Sequence, residues 1–176
     1  VISKERAVQL VEELLSKEQQ GSPWLPEVAV HHVKKHAFGW LFVCQSVEYV
    51  RSGDPAHLLV GSGPYLVDGQ DGSIHHIPVT TYHHEDWEQL YLQQIKGVRP
   101  PDPLLAAVRT LVRHDGTVAA LRHLRGQAPR LTPGQAKAYV VALRNGAEPP
   151  EELVRLTREE ERCPPLPIET LAGPVR

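Results

Sequence analysis

Between Lys4 and Gln19 the apolar residues Ala7, Val8, Val11, Leu14 and Leu15 recur at spacings of three and four, which places them on one face of a helix. Ser3 stands where a capping oxygen is needed, and Gly21, Pro23 and Pro26 stop the helix. Two partly β-branched runs follow, Val28–Lys35 and Trp40–Val47, separated by His36-Ala-Phe-Gly; they read as a hairpin. Arg51-Ser-Gly-Asp-Pro is a turn by composition, followed by a loop carrying Gly61 and Gly63. A third strand is predicted over Pro64–Asp68 and a fourth over Ser73–Val79, joined at hairpin length by Asp68-Gly-Gln-Asp-Gly. A second helix, from about His84 to Ile95, places Trp87, Leu90 and Tyr91 on one side and ends at Gly97 and Pro100-Pro101. Helix, four strands, helix is the order of an α+β layout in which an antiparallel sheet carries a helix on one face.

After the double proline the periodicity is helical throughout. Asp102-Pro103 has the form of a cap followed by proline at the first helical position, and Leu104, Leu105, Val108, Leu111 and Val112 form the apolar stripe. Asp115-Gly116 interrupts it, and residues 117–125 make a second short helix with Val118, Leu121 and Leu124 expected inward. Thr132-Pro-Gly-Gln135 matches a capping box, opening a third helix that Asn145-Gly146 ends. A last helix is expected over 151–160, and no structure of its own from Pro164 onward. The organisation expected is an α+β domain at 1–97, a small all-helical segment at 102–160 and a proline-rich tail at 161–176.

Charge sharpens this division. The chain has a formal net charge of −2, but residues 1–100 hold 8 basic and 12 acidic side chains, against 7 and 2 over 101–147. Hydrophobic residues make up 41% and charged residues 23%, the balance of a folded chain. Cys44 and Cys163 lie far apart and are read as free thiols. No run of about 18 apolar residues is present, so the expectation is a cytoplasmic protein with no membrane partner.

None of the chemistry-bearing residues falls into a strong motif. Seven of the ten histidines lie in His31, His32, His36, His75, His76, His83 and His84. Neighbours on a strand face opposite ways, so the adjacent pairs do not converge on one ion, and they read as solvent-facing sheet residues; no metal or other cofactor is expected. Cys44 lies in an apolar strand, where a thiol behaves as a small hydrophobe. Gly61-Ser62-Gly63 lacks the lysine and spacing of a phosphate loop. Asp68 and Asp71 flank a glycine turn, where carboxylates bond backbone amides. Nothing here calls for an enzyme. Of the three tryptophans, Trp40 and Trp87 fall at packing positions, whereas Trp24 lies between two prolines in a loop and is the expected exposed anchor. Arg109, Arg122, Arg125 and Lys137 form a candidate basic docking face on the short helices.

Trp40-Leu-Phe-Val-Cys-Gln-Ser, then Leu59-Val-Gly-Ser-Gly-Pro-Tyr-Leu-Val-Asp, then Asp71-Gly-Ser-Ile, resembles in order the pattern of the YrhB-like family, also called immunity protein 35, over about residues 3–95. The resemblance implies a small α+β domain with a cystatin-like layout, and a role in neutralising a toxin. It places the family's most recognisable positions at Gly61, Ser62, Gly63, Pro64 and Asp68, with serine at 62 where asparagine is usual. A second similarity, from Gly116-Thr-Val-Ala-Ala-Leu-Arg-His-Leu-Arg to Leu131-Thr-Pro-Gly-Gln-Ala-Lys-Ala-Tyr-Val, is to the helix pair of the ribosomal stalk protein C-terminal domain; it implies a helical docking appendage.

The function expected is a non-enzymatic protein-binding module, an immunity protein that occludes a cognate bacterial toxin. Trp24, Gly61, Ser62, Gly63, Pro64 and Asp68 are its candidate contacts. Two other readings are carried: a chaperone-like or assembly protein acting as a homodimer, and a nucleic-acid regulator using the basic helices at 109–144.

Overall fold

The computed structural model describes residues 1–158 and 164–175. In chain order its elements are α1 (Lys4–Gly21), β1 (Val28–His36), β2 (Gly39–Ser46), α2 (Val47–Ser52), a single 3-10 turn (Pro55–His57), β3 (Tyr65–Asp68), β4 (Ile74–His76), α3 (Val79–His84), α4 (Trp87–Gln94), α5 (Pro103–His114), α6 (Gly116–Gln127), α7 (Pro133–Arg144), α8 (Glu151–Thr157) and β5 (Glu169–Ala172). They fall into two compact units, one made of Val1–Arg99 with the segment from Pro165 onward, the other of Pro100–Pro164.

The first unit is α+β, with an antiparallel sheet in the order β1-β2-β3-β4-β5. Alternation along the strands decides what each face buries. Phe42, Cys44, Val67 and Ile74 point to α1, where Ala7, Leu10, Val11 and Leu15 meet them. Leu41 and Leu66, paired across β2 and β3, point the other way onto Ile77, Trp87 and Tyr91. The sheet is therefore covered on both faces, where the strand order alone implied one. Each buried Leu or Phe contributes about 1.5–3 kcal/mol, so the two clusters supply the main stabilisation of this unit.

Five strands stand where four are expected. The fifth comes from the tail, which is not without structure: Glu169–Ala172 pairs with the outer edge of β4, matching His75 with Thr170 and His76 with Glu169. Three anchors hold it. Ile168 is buried in the α4-side cluster, its N–H donates to Gln94 Oε1 at 3.0 Å, and Thr81 Oγ1 donates to the Leu166 carbonyl at 2.8 Å. Shorter differences follow from proline: β4 ends at His76, and after Pro78 the chain turns into α3 instead of continuing the strand. His75 lies in the interior at 1% exposure, against the expectation of a solvent-facing sheet residue.

The second unit packs α5, α6, α7 and α8 around Val108, Leu124, Tyr139, Val140, Leu143 and Leu153. Its caps are those the residues call for. Asp102 accepts the Leu105 N–H at 2.9 Å, and Thr132 and Gln135 form the reciprocal capping box. One position departs from expectation: Val118 is 70% exposed, because Ala120 and Leu124 form the buried stripe of α6 and Val118 lies on another face. Cys163 and residues 159–160 of the expected last helix lie outside the described residues.

Gly63 runs so close to the backbone after β4 that a Cβ there would lie 1.7 Å from the Ile77 carbonyl oxygen. Gly63→Ala is expected to cost about 3 kcal/mol or more, the upper range for one substitution, measured as a fall in the urea midpoint. Gly61 has φ +85° with open space around its Cβ, so Gly61→Ala should cost only about 1–2 kcal/mol. Equal effects would contradict the packing at Gly63. The Cys44 thiol is pushed up to about 12 by burial, with Glu18 adding to it. A Cys163→Ser variant should therefore release no thiol to a disulfide reagent at pH 8 until denaturant is added, and one thereafter.

Candidate protein-binding surface

Of the sequence-predicted contacts, Asp68 and Trp24 fall at opposite ends of β2. Asp68 lies across from Gly39, the first residue of that strand. Gln45 and Ser46, at its other end, fix the loop that leads to Gly61. Seven residues separate these ends, roughly 23 Å at the rise of a strand.

At the first end Asp68 is fully buried, and every observed partner stabilises its charged form. The Tyr91 hydroxyl and Lys96 Nζ both donate to Oδ2, and the Gln70 N–H donates to Oδ1 at 2.7 Å. Burial alone raises the carboxyl pKa, but Lys96, Tyr91 and the Gln70 amide outweigh it and hold it below the ordinary carboxylate range. Beside it runs a second chain of hydrogen bonds. Ser73 Oγ donates to Asp71 Oδ1 at 2.6 Å and lies 2.8 Å from His75 Nε2, while His75 Nδ1 lies 3.0 Å from Thr170 Oγ1. The serine hydrogen is engaged by Asp71, so His75 Nε2 donates to Ser73 and Nδ1 accepts from Thr170. That polarity is the reverse of a serine activated by a basic imidazole.

A cavity of about 570 Å³ lies over this end, lined by Ile2, Phe38, Trp40, Asp68, Leu92 and Lys96 among others, but not by Ser73 or His75. Several of its polar groups are matched to one another: Lys96 binds Asp68 and Gln70, and Trp40 Nε1 donates to the Ile2 carbonyl. Among the described residues no three His, Cys, Asp or Glu side chains are grouped to hold a metal ion.

The other end carries exposed apolar side chains on fixed loops. Gln45 is buried, and its amide accepts the Leu59 N–H at 2.8 Å and donates to the Leu59 carbonyl at 3.0 Å. Ser46 Oγ donates to the His57 carbonyl at 2.6 Å while capping α2 through the Tyr49 N–H. The loop at 22–27 is fixed alongside, by Gln19 Nε2 to the Leu25 carbonyl and by the Val47 N–H to the Glu27 carbonyl. Held by these bonds, Trp24, Leu25, Leu58 and Val60 remain 77%, 56%, 38% and 88% exposed. Two adjoining cavities of about 470 and 240 Å³ share Leu25, Pro26 and Leu59 in their walls. Their charged lining residues are Glu18 and Glu48, with no lysine or arginine.

With that geometry in place, the comparison with known families is specific. The family model of immunity protein 35 matches residues 5–90. Those residues are similar to that family. No curated protein and no solved structure matches the chain. The family description supports a toxin-neutralising, protein-binding role in general terms. The matched segment runs from α1 into α4 and contains both ends of β2.

Within the matched segment the candidate contacts separate. Trp24, Gly61 and Ser62 are exposed, whereas Gly63, Pro64 and Asp68 are buried and offer a partner no free side chain. Leu25 and Leu58 line a cavity with Trp24, and Val60 is exposed nearby in the chain, without having been singled out in the sequence; the signal was the run Leu58-Leu-Val60, apolar yet confined between turn residues. In the helical unit Arg122, Arg125 and Lys137 line one groove, and Arg109 lies apart from that lining, 2.5 Å from Glu148 Oε1. No helix among the described residues is long and apolar enough to cross a membrane.

The buried His75 makes stability depend on pH. Burial holds its pKa below the ordinary imidazole value, with Lys96 adding to the depression and Asp68 and Asp71 opposing it. An unfolded histidine takes up its proton near pH 6.5, whereas the folded one does so only at lower pH. The unfolded state therefore binds more protons in that interval, and stability is full above about pH 6.5 and falls as pH drops below it. Asp68 adds a separate loss, beginning below about pH 4 and completed as pH falls through its depressed folded value. Urea unfolding between pH 8 and 5 should show the first decline, and His75→Asn should flatten it; an unchanged slope in that variant would place the titrating group elsewhere.

Proposed function

We propose that this protein is a stoichiometric inhibitor that neutralises a protein toxin by covering its working surface with the Trp24 end of the sheet. The observation that carries this reading is the set of exposed apolar side chains Trp24, Leu25, Leu58 and Val60, held by hydrogen-bonded loops within a segment that matches an immunity family. Pre-ordered loops lose little conformational freedom on binding, and an aromatic anchor in a desolvated contact is where binding energy concentrates. Glu18 and Glu48 fit a toxin face carrying lysine or arginine, and would speed encounter more than they tighten the complex. The protein acts by occlusion, without catalysis, and the reversed polarity of the Ser73–His75 contact supports that. The unpaired, buried Cys44 fits a reducing compartment such as the cytoplasm. Pairing with a second copy through the free edge of β1 is disfavoured by Lys34 and Lys35, charges of the sort that blunt sheet edges.

The test is capture of the partner on purified protein, followed by assay of the captured protein's activity. Inhibition should be complete at one equivalent. Trp24→Ala should weaken the complex about 30-fold, the equivalent of about 2 kcal/mol, while leaving the thermal midpoint within about 1 °C of the parent. A partner whose activity survives saturation, or a complex indifferent to Trp24 and Leu58 substitutions, would overturn the reading.

A further inference from the structure

Outside the segment matched to the immunity family, α6 and α7 enclose a groove of about 440 Å³ lined by Val118, Leu121, Arg122, Arg125, Pro133 and Lys137. Positions 118, 121, 122 and 125 fall on one stripe of α6, since residues three and four apart are neighbours on a helix. Pro133 and Lys137 face them from the first turns of α7. The groove has an apolar centre, with Val118 70% exposed and Leu121 half-buried, and a cationic border.

Arg122, Arg125 and Lys137 are all exposed and have no ion-pair partner among the described residues, in contrast to Arg109 with Glu148. No carboxylate lines the groove. Three like charges around one apolar centre repel one another, and the cheapest way to relieve that repulsion is an anionic partner that also covers Val118. A nucleic acid would engage the charges but leave the apolar centre unmatched. The groove offers no aromatic ring for base stacking, because Tyr139, the tyrosine of α7, is fully buried.

We propose that this groove docks an acidic protein segment, in which aspartate or glutamate side chains meet Arg122, Arg125 and Lys137 around an aliphatic or aromatic residue seated on Val118 and Leu121. An amphipathic helix with such residues three or four apart has the matching geometry. The site is independent of the Trp24 surface, so that the protein has two binding faces of opposite charge.

The test pans a random 12-residue peptide library displayed on phage over the full chain, in parallel with a variant carrying Arg122→Glu, Arg125→Glu and Lys137→Glu. Enriched peptides are then synthesised and titrated by fluorescence anisotropy at low and high salt, beside a 20-base-pair DNA duplex. The expected result is enrichment, on the parent only, of peptides with several acidic residues around an apolar one. Their Kd should rise at least tenfold for Arg125→Gln and at least threefold for Val118→Ser, and should weaken with salt, while thermal melting shows each variant folded. No enrichment over the triple variant, enriched peptides without acidic residues, or binding indifferent to Val118 would each overturn the proposal. DNA bound more tightly than any peptide, through the same cations, would replace it with a nucleic-acid site.

Discussion

Asp68 is a carboxylate with no access to water, and the sheet unit is organised around satisfying it. Its own backbone closes the turn between β3 and β4, accepting the Gly72 N–H and donating to the Ser73 carbonyl. Its side chain takes the Tyr91 hydroxyl from α4, Lys96 from just beyond α4, and the Gln70 amide from the turn. One residue thus fixes a hairpin and the helix laid across it. A buried charge left without partners costs several kcal/mol, so the arrangement holds only when turn, helix and lysine are all in place. The Asp71–Ser73–His75–Thr170 chain beside it extends the same polar network to β5.

One end of the sheet is anchored in this way, and the other carries the exposed apolar side chains. β2 connects the two, with Gly39 beside Asp68 and with Gln45 and Ser46 holding the loop that follows α2. That loop is held through its backbone, and Leu58 and Val60 remain exposed. This explains how an α+β unit with both sheet faces covered still exposes apolar side chains: the layers use the faces, and Trp24, Leu25 and Leu58 lie at a strand end. Charge follows the same division, acidic around the Trp24 surface and basic around the groove of the helical unit.

Much of this was legible in the residues. Helix periods, the Asp102 and Thr132 caps, the strand sequence and the order of the immunity protein 35 elements are local patterns, and local patterns survive folding. Trp24 between prolines was recognisable as exposed for the same reason, since no periodic partner was available to bury it. The tail was misjudged because a four-residue strand has no periodicity to detect, and pairing with β4 supplies its order.

By itself, then, the sequence determined the α+β class, the similarity of residues 5–90 to immunity protein 35 and the uneven distribution of charge, all of which are written in residues close together in the chain. Only the tertiary structure decided that Asp68 is an interior anchor, that His75 is buried, and that Trp24 lines one cavity with Leu58. It likewise gathered Arg122, Arg125 and Lys137 around Val118 and left Arg109 with Glu148. Each of these depends on contacts between residues distant in the chain, and burial and pairing at that range are set by which faces the helices and strands turn toward one another.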